Sequence, residues 1–326
     1  MIIQAMTASL ILPAAPAADC SNAPLLNGVC ALPDLGVIRV VGEDAATFLH
    51  AQLTQDFLQL GPIEARLAAF CSAKGRMQAS FIGFRRAPAD ILLVCSRDLL
   101  MPTLKRLSMF VLRAKAKLTD ASADFNLFGL AGDAIASVAN LSRHAWAKSD
   151  FGSANVVGLY PADGQPRALW VSPVGEPGPA GAPLAAVLWQ WSEVRSGIVT
   201  LTSPLIDAFV PQMLNYESIG GVSFKKGCYP GQEVVARSQF RGTLKRRAYL
   251  VHCAAALGVG QEVFHSADPS QPCGLVAQAA PAPHGGFDAL ASLQISATEL
   301  GALHLGAPGG PALHLQPLPY PLLQDI

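Results

Sequence analysis

The stretch "SFKKGCYPGQEVVAR", Ser223 to Arg237, packs two lysines, a cysteine, a Tyr-Pro-Gly turn and a Gln-Glu pair into fifteen residues. Gly227 and Gly231 allow backbone to come close to something planar or charged. Lys225 and Lys226 would favour the thiolate form of Cys228 and make it reactive; the plain alternative is a structural cysteine on a turn between strands. Gln232 and Glu233 could bond the edge of a heterocycle, or simply be polar positions of a strand. Between Lys225 and Arg247 stand seven cations, Arg237 among them, against the single acid Glu233, a net +6 in a chain of net charge zero. That window is either a solvated hairpin or a seat for an anion.

Outward from this segment, the 326-residue chain is long enough for two or three packed units, and 51% hydrophobic against 14% charged residues gives ample core material. No run approaches the roughly 20 apolar residues of a membrane span. The first residues, "MIIQAMTASLILPAAPAADC", have the texture of a signal peptide, but lack a basic start and are broken by Pro13 and Pro16. They read as part of a disordered lead-in over 1–30. Seven cysteines, at 20, 30, 71, 95, 228, 253 and 273, are odd in number and contain no C-x-x-C. Reduced thiols of a cytoplasmic protein are expected, with no disulfide framework and no zinc site. Cys71 and Cys95, in apolar runs, read as small core residues.

Alternation predicts a strand over 36–42, and apolar spacing a helix within 43–60 through Ala45, Phe48, Leu49 and Leu53. Residues 65–86 read as a hairpin turning at Ser-Ala-Lys-Gly, followed by a strand at "DILLVC" and a helix N-capped by Ser96, with Pro102 tolerable near its first turns. Residues 172–183 are a Pro/Gly-rich loop, and "LAAVLWQWSEVRSG" a helix ending near Gly197. From 244 onward short alternating pieces split by Gly, Pro and Asp suggest a small β-barrel or sandwich. The fold class is therefore α+β: an α/β body over 31–243 and a β-barrel over 244–326. Trp189 and Trp191, two apart on one helix, point to different faces; one suits the core and the other a stacking plate. No phosphate-binding glycine loop, H-x-x-x-H pair or G-x-S-x-G is present.

The blocks "HAQLTQD" (50–56), "CSAKGRMQASF" (71–81), the segment 209–250 with its K-G-C-Y-x-G-Q-E core, and "LHLQPLPY" (313–320) resemble the YgfZ family of folate-binding proteins. These are relatives of the glycine-cleavage aminomethyltransferase and of a mitochondrial iron–sulfur assembly factor. The resemblance implies two interleaved α/β subdomains around a central channel plus the C-terminal barrel. It also implies tetrahydrofolate or a derivative as ligand, with the ring on Trp189 and the glutamate tail, polyglutamylated or not, drawn to the basic window. The implied role is accessory: support of iron–sulfur assembly or repair through the assembly machinery or client enzymes, and so of tRNA methylthiolation. The motif cysteine falls on Cys228, with Lys226, Gly227, Tyr229, Gly231, Gln232 and Glu233 around it. Three positions depart from the relatives: Leu35 replaces a second folate-linked tryptophan, Arg195 falls where the aminomethyltransferase has its pterin-holding acid, and no carboxylate stands at Gln78 or Ala79, where its catalytic aspartate lies. An aminomethyl- or methyltransferase and a tRNA-binding module are the rival readings.

Overall fold

The computed structural model describes residues 25–136, 138, 144–242 and 244–323. Strand β1 (Gly28–Ala31) opens the chain, followed by β2 (Leu35–Val41), helix α1 (Ala45–Gln52), β3 (Ala65–Cys71), β4 (Met77–Ala87), β5 (Asp90–Ser96), α2 (Arg97–Ser108) and β6 (Lys117–Asp120). Strands β2 to β6 form one antiparallel sheet in the order β3-β4-β5-β2-β6. Strand β1 stays out of it. It pairs with β7 (Phe125–Ala131), and after α3 (Asp133–Ala136) the strands β8 (Lys148–Phe151), β9 (Ala154–Ala162) and β10 (Gln165–Pro173) complete a second sheet, β1-β7-β10-β9-β8. The two halves of the body are thus interleaved along the chain. The expected lead-in ends earlier than residue 30, because Gly28 to Ala31 find ladder partners on β7; residues 1–24 of it, Cys20 included, lie outside the described residues.

Helix α4 (Ala186–Arg195), two single 3₁₀ turns and α5 (Gln232–Phe240) lead to the six strands β11 (Arg246–Cys253), β12 (Glu262–His265), β13 (Asp268–Pro281), β14 (Phe287–Gln294), β15 (Leu303–Leu305) and β16 (Ala312–Gln316). They close as β11-β14-β13-β12-β15-β16. Strands β11 and β14 are apolar on both faces for a physical reason. Val251, Cys253, Ala289 and Ala291 fill the barrel, while Leu250 and Leu290, pointing the other way, join the core of the body.

Two helices differ from their expected form, one at its end and one at its cap. Helix α1 stops at Gln52 because Thr54, fully buried, is taken by tertiary bonds: its hydroxyl donates to the Gly221 carbonyl (2.6 Å) and accepts the Ala69 N–H (2.8 Å). Asp56 then folds the chain into a turn by accepting the Leu58 and Gln59 N–H groups. Helix α2 starts after Ser96, but the Ser96 hydroxyl donates to Asp98 (2.7 Å) instead of capping, and Pro102 sits inside the helix. No described helix is long and apolar enough to cross a membrane.

Candidate functional site

The motif loop is stitched to the first sheet. Its Ser223 N–H donates to the Thr54 carbonyl (2.9 Å), and Phe224 meets Phe240 of α5 edge-on. Gly231 precedes α5 with φ +78°, and a Cβ there would stand 2.3 Å from the Ser72 carbonyl and 2.6 Å from Gly75, on the turn joining β3 and β4. Only glycine lets the loop dock on that turn. Gly231→Ala should therefore cost about 1–2 kcal/mol from the left-handed backbone alone, with the clash added. A melting curve lowered by several degrees, with faster proteolysis in 223–231, is the expected result; an unchanged curve would show that the docking is not needed.

Along this loop Cys228 is exposed, whereas the other five described cysteines are buried. Burial and neighbouring carboxylates push Cys71 and Cys95 up to about 12. Lys226 is buried at 8% exposure, donates to the Gly227 carbonyl (3.1 Å) and lies 4.5 Å above the Tyr229 ring. Burial brings its ammonium down to about 8, against the opposing pull of Asp56 and Cys228. Tyr229 is buried too, and burial raises its hydroxyl pKa. Gln232 to Phe240 form a helix, not the strand considered from sequence, with Glu233 and Arg237 exposed on it.

Two residues that the sequence reading missed complete this neighbourhood. The Gly227 N–H donates to His50 Nε2 (3.3 Å), and His50 Nδ1 lies 3.0 Å from Asp56 Oδ1. Burial works to raise the Asp56 pKa, but the N–H groups of Gln59, His50 and Leu58 outweigh it, and the carboxyl sits below its ordinary value. His50 and Asp56 stand at the two ends of "HAQLTQD", which was the available signal.

A second neighbourhood lies between the sheets and α4. There a cavity of ≈ 40 Å³ is lined by Leu35, Ser80, Cys95, Trp189, Glu193 and Tyr216, among others. Trp189 is 2% exposed and lies against Gly129, where a Cβ would come within 2.5 Å of the ring. The Arg167 guanidinium sits 4.4 Å from the ring centroid and 3.9 Å from the Glu193 carboxylate. Burial raises the Glu193 pKa and lowers that of Arg167 to about 10, each partner opposing the shift of the other. Glu193 lies close enough to the Trp189 N–H to feel it, yet no ordinary hydrogen bond joins them, and Trp189 Nε1 and Arg167 Nε are buried without partners. Leu35, the position of the second family tryptophan, is a wall of this cavity. Ala79 is buried, and Gln78 Oε1 has no partner.

Arg195 does not face this cavity. It bonds Asp163 and Gln316 and lies 3.6 Å from Asp288, while Trp191 Nε1 donates to that same Asp288 (2.8 Å). Residues 191 and 195 therefore tie the body to the barrel, and residues 189 and 193 face the inter-sheet cavity. Glu193, two residues before Arg195, is a carboxylate that lines the cavity. No residue from Lys226 to Glu233 lines the cavity; Cys71 is close enough to both Tyr229 of the loop and Tyr216 of the cavity to act on each electrostatically, so it belongs to the wall between them. The basic window is divided as well. Arg247 is buried on Glu217 (2.6 Å), whereas Arg237, Lys245 and Arg246 share a ≈ 250 Å³ groove that has no residue in common with the cavity.

No family model matches the chain. It is 31% identical over 254 residues to the tRNA-modifying protein YgfZ of Cronobacter sakazakii, covering 72% of this chain and 74% of the relative. The protein of the same name from Enterobacter sp. is 32% identical over 255 residues, with the same coverage of 72% and 74%. Among solved structures, the glycine cleavage system aminomethyltransferase T from Bartonella henselae superposes with a TM-score of 0.63 at 13% identity, over 89% of this chain and 85% of that one. That match is one of fold: the interleaved sheets and the closed barrel are an aminomethyltransferase-like architecture. With the sequence identity extending over more than two thirds of both chains, the protein belongs to the YgfZ family.

Proposed function

We propose that the protein binds a reduced folate in the inter-sheet cavity and serves as an accessory factor for iron–sulfur-dependent tRNA modification, with Cys228 as its functional thiol. The observation that carries the folate part is the unpartnered Trp189 indole N–H beside the Glu193 carboxylate, enclosed at the seam between the sheets. A pterin edge offers an amino group and a ring N–H to a carboxylate, and its flat ring suits an indole. The donor set fits this group. The space does not: ≈ 40 Å³ holds about one water, so a ring enters only if walls such as Leu35 and Ile198 part. Bound folate would supply a one-carbon carrier; the chain's own residues would orient the ring through Glu193 and shield it from water. The tRNA part rests on the name carried by the relatives, and the thiol part on the exposure of Cys228 beside a depressed lysine.

The test is titration with tetrahydrofolate, followed by tryptophan fluorescence. A saturable change that disappears in Trp189→Phe and weakens at least tenfold in Glu193→Gln is the expected result. A full-size change in Trp189→Phe would move the site elsewhere, and no binding at all would remove the folate reading. For the thiol, Cys228→Ser should lower tRNA methylthiolation in cells under oxidative stress; normal methylthiolation would make the motif a structural turn.

One observation favours a second reading. Lys225, Arg237, Arg241 and Lys245 are all exposed, and Phe240 beside them is 52% exposed. Direct binding of tRNA at this face would show an affinity falling steeply with salt. Against the other rival, aminomethyl transfer, no carboxylate stands at Gln78 or Ala79.

A further inference from the structure

The thiol loop is anchored by a group that changes charge. His50 Nε2 accepts the Gly227 N–H one residue before Cys228, and a Cβ on Gly227 would stand 3.4 Å from that nitrogen, so the imidazole lies directly against the loop backbone. Nε2 can accept only if its lone pair is free. Asp56 secures this by taking the Nδ1–H (3.0 Å), and Asp56 is itself fixed by the Leu58 and Gln59 N–H groups. The relay Asp56–His50–Gly227 thus runs from the end of α1 into the motif loop, joining the first family block to the cysteine block.

We infer that His50, oriented by Asp56, is the positioning residue of the Cys228 thiol, holding the loop while neutral and releasing it when Nε2 takes up a proton. The step balances simply: a solvent proton adds to the Nε2 lone pair, the Gly227 N–H loses its acceptor, and the Asp56 carboxylate stays ionised against the imidazolium. Three charged or titratable groups act at this place. Asp56 faces Nδ1 of the imidazole, and Lys226 and Cys228 stand on the loop side, close enough to Asp56 and to each other to interact electrostatically. The inference rests on the reading of Cys228 as the working thiol, but its readout is loop chemistry and involves neither folate nor tRNA. Normal cellular function of Cys228→Ser would sink that reading and leave the relay standing.

The experiment uses the full chain carrying Cys20→Ser. The rate of Cys228 carbamidomethylation is measured from pH 5.5 to 8.5, alongside amide exchange at Gly227. The parent protein should show two bends, one from thiol ionisation and a second, at lower pH, below which the rate falls less steeply than the thiolate fraction. In His50→Gln an amide oxygen still accepts the Gly227 N–H but does not titrate. It should keep the Gly227 amide protected and the rate within about twofold of the parent at pH 8, with the second bend gone. His50→Leu should deprotect the amide at least tenfold and change the alkylation rate throughout, with melting temperature measured to separate this from global unfolding. Identical profiles for the parent and His50→Leu, or a His50→Gln that behaves like His50→Leu, would overturn the inference.

Discussion

Iodoacetamide at pH 7.5 should modify Cys228 of the native protein at least a thousandfold faster than Cys71 or Cys95. The thiolate is the nucleophile, so ionisation sets the first factor. With pKa values of about 12, the two core thiols are ionised to roughly 3 parts in 100,000 at this pH. Cys228, by contrast, is exposed on its loop. Access adds to the difference, because Cys71 is 1% and Cys95 2% exposed and a reagent reaches them only through local opening. Peptide mass spectrometry against time gives the three rates separately and keeps Cys20 out of the comparison. Comparable rates would mean that the first sheet opens freely or that the Cys228 loop is covered.

The contrast between these cysteines was legible in the sequence because burial follows pattern. "LAAFC" (67–71) and "ILLVC" (91–95) are continuous apolar runs, and both are buried throughout. The hairpin turn at Ser72–Gly75 and the end of α4 near Gly197, where φ is +74°, were likewise fixed by local chemistry. What escaped was decided by tertiary contacts. Helix α5 carries little apolar periodicity: only Val235 and Gln239 are buried on it, so it reads as a polar stretch. His50 and Asp56 are six apart, a spacing that brings no two side chains together on a continuous helix. They meet because buried Thr54 ends α1 between them. On α4 the sequence could place residues 189 and 191 on different faces but could not say which face met the barrel. The barrel's Asp288 decides it by accepting the Trp191 N–H, and this leaves Trp189 and Glu193 for the cavity.

Arg167→Met should destabilise the protein by about 3 kcal/mol, and Arg167→Met combined with Glu193→Gln should recover most of that loss. Arg167 is 4% exposed, its Nε has no partner, and its guanidinium meets the Trp189 ring, the Tyr160 carbonyl at 3.5 Å and Glu193 at 3.9 Å. A pair so distant and so poorly hydrogen-bonded contributes little net stability, yet Arg167 is buried and Glu193 only 28% exposed, so removing one member leaves the other charge without its partner, at a cost near the lower end of the roughly 3–5 kcal/mol for a fully buried pair. Glu193→Gln alone should therefore also destabilise, by stranding Arg167. The single and double variants form a cycle whose coupling is positive and large. Its pH dependence has a definite sign. Burial raises the folded-state pKa of Glu193, so its favourable contribution is present in full below about 4.5 and is lost as pH rises through the raised value. Without Arg167 the carboxylate loses the cation that opposes this shift, so the loss extends to higher pH. The penalty of Arg167→Met should be smaller at pH 5 than at pH 8, and that of the double variant flat between them. Thermal melts at the two pH values, where 3 kcal/mol corresponds to roughly 5–10 °C for a chain of this size, measure all four proteins. Strictly additive costs would show that Arg167 and Glu193 do not act on each other. The charged cluster would then be two separate buried groups, and the case for Glu193 as a carboxylate held ready for a ring N–H would fall with it.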